Sequence, residues 1–137
     1  MIRFIIQLLQ NRIMKNVVFL GSKKIGLECL RILYNQSINL DFNLLAVLTN
    51  QRGEAIKDFC NKNKIKLLNS LDDYLDLKDV DIAMSIQYHE ILKKEHIEKT
   101  KEITINLHMA PLPEYRGCNQ FSFAIIDGAK EFGTTIH

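Results

Sequence analysis

Short apolar runs alternate with helix-patterned segments along most of this 137-residue chain, and that alternation limits the fold more than any other feature. Residues 17–20, 43–48, 81–86 and 103–108 read as strands, with a short one at 66–68. Between and after them, residues 25–36, 54–63, 71–77, 90–99 and 119–127 carry helical spacing, and 132–137 reads as a final strand. Strands joined through helices need right-handed crossovers, which place helices on both faces of a mostly parallel sheet. The expected class is therefore α/β. The sequence contains no internal repeat, low-complexity tract or interdomain linker.

Within the strand at 103–108, polar and apolar residues alternate and end in Asn106-Leu107-His108. Side chains two apart on a strand share a face. A carboxamide and an imidazole therefore emerge together at the strand end. The amide can donate to a developing oxyanion, and the imidazole can move protons near neutral pH. This pair suits acyl transfer to an amine, and Asn106 and His108 are the candidate catalytic residues.

Three ordered blocks carry a family resemblance: Asn-Leu-His-Met-Ala-Pro-Leu-Pro-Glu-Tyr-Arg-Gly at 106–117, Ala-Ile-Ile-Asp-Gly at 124–128 and Gly-Thr-Thr-Ile-His at 133–137. From about Met14 onward the chain resembles the 10-formyltetrahydrofolate-dependent formyltransferases. The resemblance implies a Rossmann-like sheet and 10-formyltetrahydrofolate as cosubstrate. It also implies that Asn106 and His108 stabilise a tetrahedral intermediate and move protons. The loop Ser85-Ile86-Gln87-Tyr88 matches the family segment whose backbone bonds the pterin. Ala110-Pro111-Leu112-Pro113 stands where methionyl-tRNA formyltransferases carry Ser-Leu-Leu-Pro against the cofactor. That departure, with Gln87-Tyr88-His89, looks more like the bacterial nucleotide-sugar N-formyltransferases. The expected acceptor is thus the amine of a nucleotide-linked amino sugar, as in O-antigen or lipopolysaccharide biosynthesis. Methionyl-tRNA is the runner-up, and glycinamide ribonucleotide a third candidate. His89 reads as a strand-end residue, and His96, on a Lys-rich segment, as solvated.

Family members place an orienting aspartate beyond the Gly-x-Thr-x-His block, and this sequence stops at His137. The resemblance therefore implies an incomplete catalytic domain at 14–137, inactive as it stands and reduced to a folate- or nucleotide-binding module. A homodimer is admitted for a longer protein. Residues 1–13 read as a leader outside the domain, produced by an upstream start codon. Their apolar stretch is broken by Arg3, Gln7, Gln10, Asn11 and Arg12 and is shorter than the roughly 20 residues a membrane span needs.

The turn Gly21-Ser22-Lys23-Lys24-Ile25-Gly26 sits where dinucleotide folds bind phosphate, but Lys23 replaces the second glycine of that fingerprint. Leu27-Glu28 likewise replaces the Lys and Ser/Thr of a Walker loop. What remains is a helix start with two lysines, suited to an acceptor phosphate or to plain solvation. A net charge of +2 gives no argument for nucleic acid or an anionic membrane as partner, so neither is expected. Cys29, Cys60 and Cys118 are odd in number and widely spaced, which fits reduced thiols in a cytoplasmic protein and no metal site.

Overall fold

The computed structural model describes residues 13–137, so the expected leader lies outside the described residues except for exposed Ile13. Six strands form one sheet in the order β3-β2-β1-β4-β5-β6. They are β1 (Lys15–Gly21), β2 (Phe42–Leu48), β3 (Leu67–Leu68), β4 (Ile82–Ile86), β5 (Ile103–His108) and β6 (Thr135–Ile136). The first five run parallel, and β6 lies antiparallel to β5. The helices are α1 (Lys23–Gln36), α2 (Glu54–Lys62), α3 (Leu71–Asp76), α4 (Lys94–Ile97) and α5 (Gln120–Ile126). The expected α/β class with a mostly parallel, Rossmann-like sheet is the fold observed.

β1 shows why its residues read as one continuous apolar run. Val17 and Phe19 face a core built with Leu27, Leu30 and Leu33 of α1 and Ile56 and Cys60 of α2. Val18 and Leu20 face the opposite core, with Ala46, Leu48, Leu68, Tyr74 of α3, Val80 and Ala83. A parallel strand covered on both sides needs apolar residues at every position. Each large apolar side chain so buried contributes about 1.5–3 kcal/mol. Strand order reverses direction between β1 and β4, and open α/β sheets bind ligands in the crevice at the carboxyl ends of such strands.

Two expected elements are shorter than their sequence patterns. The helix expected at 90–99 is confined to α4, because Lys93 is extended (φ −77°, ψ 170°) and its N–H donates to Nδ1 of His96 at 2.9 Å. That bond also corrects the reading of His96 as solvated, since the residue is only 4% exposed. Its carbonyl accepts the hydroxyl of fully buried Tyr74 at 3.0 Å. The imidazole is thus a local cap, and its backbone is pinned to α3. The strand expected over 132–137 forms only at Thr135–Ile136. Phe132 packs instead against the rings of Tyr115 and Phe121, at centroid distances of 5.5 and 4.9 Å.

Candidate active site

The pairing of β5 with its two neighbours assembles the polar cluster. Asn106 lies opposite Ser85 of β4. On its other side it exchanges both backbone bonds with His137, at 2.7 Å (Asn106 N–H to His137 carbonyl) and 3.0 Å for the reverse. The side chains meet as well, with Asn106 Nδ2 at 2.9 Å from His137 Nε2. An amide nitrogen only donates, so Nε2 of His137 accepts and its proton sits on Nδ1. One of the two carboxamide hydrogens is used in this bond, and the second remains for a ligand.

His108 projects from the same face as Asn106, with its ring centroid 6.4 Å from that of His137. Its Nε2 lies 2.8 Å from the carbonyl oxygen of Tyr115. A carbonyl only accepts, so Nε2 carries the hydrogen and Nδ1 holds the lone pair. The arrangement presents a donor and a base side by side, as general-base attack on a carbonyl carbon requires.

The loop after β5 folds back onto β6. Ala110 is fully buried, and its carbonyl accepts the Thr135 hydroxyl at 2.8 Å. The same Oγ1 accepts the Leu112 N–H at 3.0 Å. One hydroxyl therefore holds both ends of Ala110-Pro111-Leu112, with exposed Pro113 following through a cis bond. Arg116 Nε closes the turn on the Pro113 carbonyl at 3.1 Å, and Gly117 provides the left-handed φ of 84° that reverses the chain.

At the end of β4, Ser85 is 6% exposed, and Ile86, Gln87 and Tyr88 are half-buried. Gln87 takes a left-handed φ of 58°. The Tyr88 hydroxyl donates to Glu90 at 2.9 Å; burial, then this carboxylate, pushes its pKa above the ordinary phenol range. His89 is exposed and stacks edge-on against Tyr88, as expected of a strand-end residue. All the sequence-derived candidates thus gather at the carboxyl ends of β4 and β5. Two more polar residues join them, His137 and Thr135. Their signal was the Gly-Thr-Thr-Ile-His block, which the sequence reading used only as a family marker. A separate shallow cavity of ≈ 330 Å³, lined by Lys66, Asn69, Asp73 and Asp76, opens beside β3 at the far edge of the sheet. It contributes none of these groups.

Residues 5–137 match the family described as Formyl transferase. The chain belongs to that family. The match begins ahead of Met14, inside the stretch read from sequence as a leader. Among curated relatives, the bifunctional polymyxin resistance protein ArnA of Wigglesworthia glossinidia brevipalpis is 34% identical over 82% of this chain and 18% of its own length. The methionyl-tRNA formyltransferase of Clostridium acetobutylicum is 30% identical over 89% of this chain and 44% of its own. The chain spans less than half the length of either relative. In fold it is similar to a phosphoribosylglycinamide formyltransferase from Bacillus halodurans, with a TM-score of 0.75 at 18% identity over 90% of this chain and 71% of that one. A formyltetrahydrofolate deformylase from Pseudomonas syringae pv. tomato gives 0.77 at 19% identity, over 91% and 46%. No helix among the described residues is long and apolar enough to cross a membrane.

Proposed function

We propose that this chain forms the catalytic part of an enzyme that transfers a formyl group from 10-formyltetrahydrofolate to an amine. The observation that carries the reading is the Asn106–His137 pair beside His108, with one amide hydrogen and one imidazole lone pair on the same face. Bound folate supplies the formyl group. This donor set fits it: Asn106 offers its second N–H to the formyl oxygen as negative charge develops there. Nδ1 of His108 takes the proton that the amine loses when its nitrogen bonds the formyl carbon, and gives it to N10 of the folate as the formyl carbon–N10 bond breaks and tetrahydrofolate leaves. His137, held by the Asn106 carboxamide, fixes the orientation of that carboxamide. The 85–88 segment and the Thr135-anchored loop at 110–113 flank these groups and are assigned to folate. Reduced folate and soluble amine are both consistent with a cytoplasmic enzyme.

The amine we favour is that of a nucleotide-linked amino sugar. Support comes from Ala-Pro-Leu-Pro at 110–113, from Gln87-Tyr88-His89, and from a net charge of only +2 where a tRNA-binding surface would be basic. Methionyl-tRNA is the second reading, favoured by the 30%-identical relative that bears that acceptor in its name. The two are separated by presenting a full-length protein carrying this chain with 10-formyltetrahydrofolate and each acceptor in parallel. Formylation of a nucleotide-linked 3- or 4-amino-deoxysugar with charged tRNA untouched is expected. Efficient formylation of the tRNA overturns the sugar assignment, and no folate-dependent product with any amine overturns the reaction itself.

A further inference from the structure

The turn at Gly21-Ser22-Lys23-Lys24-Ile25-Gly26 matches no nucleotide-binding fingerprint, and the structure shows what it holds instead. Gly21 pairs with Ile86 across β1 and β4, and a Cβ on Gly21 would lie 3.0 Å from the Ile86 carbonyl oxygen. A Cβ on Gly26 would lie 3.4 Å from that same oxygen, in ordinary van der Waals contact. The Ser22 N–H donates to it at 3.3 Å. The Ser22 hydroxyl donates to the next carbonyl, that of Gln87. Ser22 is 1% exposed, so neither bond competes with bulk water. The two glycines and the serine thus form a socket for the chain leaving β4. What they seat is a residue in an unfavourable backbone region, because Gln87 has a φ of 58° without being glycine. Such a conformation persists only where the surroundings over-determine it.

We propose that Ser22 is a positioning residue for folate. By clamping the Ile86 and Gln87 carbonyls, it holds the segment 85–88 in the left-handed turn that aims its backbone at the cosubstrate. The folate half of this proposal rests on the proposed function, whereas the clamp itself does not. It also assigns the turn a purpose other than phosphate binding, since its serine hydroxyl is spent on the Gln87 carbonyl and the space at the two glycines is filled by the Phe19 and Ile56 side chains together with the Ile86 carbonyl.

The test uses Ser22→Ala, which removes only the hydroxyl, and Ser22→Thr, which keeps it, in a full-length protein carrying this chain. Amide order parameters at Gln87 and Tyr88 should fall from about 0.85 toward 0.6 in Ser22→Ala, while those of β2 stay unchanged. KM for 10-formyltetrahydrofolate should rise about tenfold with kcat nearly kept, the change expected for one lost hydrogen bond in ground-state positioning. Ser22→Thr should restore both values. Unchanged order parameters at Gln87 and Tyr88 overturn the clamp. A looser turn with unchanged KM overturns the link to folate. A looser turn in a protein whose parent shows no folate-dependent activity sinks the proposed reaction and leaves the clamp standing.

Discussion

Replacing Asn106 by aspartate separates the shape of its side chain from its ability to donate. Both backbone bonds to His137, at 2.7 and 3.0 Å, use main-chain atoms and survive the change. The side-chain contact at 2.9 Å survives too, because His137 can shift its proton to Nε2 and donate to the new carboxylate. The fold and the position of His137 should therefore be kept. What is lost is the second N–H, the hydrogen we assign to the formyl oxygen. Removing one such donor costs about 2.7–4 kcal/mol of barrier, or roughly a hundred- to a thousandfold in kcat. Asn106→Ala should show that loss. Asn106→Asp should exceed it, because a negative charge then faces the oxygen where negative charge builds. At about 3 Å with an effective dielectric near 20, that repulsion adds on the order of 5 kcal/mol before relaxation. The assay is steady-state formyl transfer by a full-length protein carrying this chain, with thermal unfolding as the control for folding. KM for folate should move little in both variants, since the interaction strengthens only as charge develops. An Asn106→Asp enzyme that unfolds normally and keeps kcat within about fivefold of wild type would refute oxyanion donation by this residue.

Thr135→Val keeps the shape of the side chain while removing the hydroxyl that bonds both the Ala110 carbonyl and the Leu112 N–H. Losing two bonds of about 1 kcal/mol each should raise KM for folate by about tenfold or more, read from initial rates against folate concentration; unchanged KM would show that the loop at 110–113 does not touch it. In alkali, burial pushes the pKa of Tyr74 from 10.0 up to about 12, so the folded state keeps a proton that the unfolded chain releases. Stability from this group is complete below pH 10 and is lost as pH rises from 10 through 12; denaturant titrations should show that slope, and Tyr74→Phe should flatten it at the cost of about 1–3 kcal/mol for the unpaired His96 carbonyl. A thiol reagent should label exposed Cys118 well before buried Cys60, whose thiol is pushed up to about 11 by burial; mass spectrometry of partly labelled protein with Cys60 modified first would contradict this packing.

How much of this was legible in the sequence depended on how locally each feature is determined. β1 and β5 could be read directly because a doubly covered strand is apolar throughout and a strand ending in a site alternates. Asn106 and His108 could be singled out as candidates because a spacing of two fixes a shared face without knowledge of the partner strands. His137 and Thr135 depend on β6 pairing antiparallel to β5, a contact across about thirty residues that a two-residue strand hardly announces. His96 was misplaced because charged neighbours set its local pattern, whereas its burial is set by Tyr74, 22 residues earlier. Gly21-Ser22-Lys23-Lys24-Ile25-Gly26 was read as a helix start open to an acceptor phosphate or to plain solvation of its lysines, because nothing local shows what lies beside it. Its occupant is the end of β4, about sixty-five residues away, brought alongside by the reversal of strand order. The same reversal that opens the binding crevice of an α/β sheet thus supplies, between β1 and β4, the contact that shapes one wall of the candidate site.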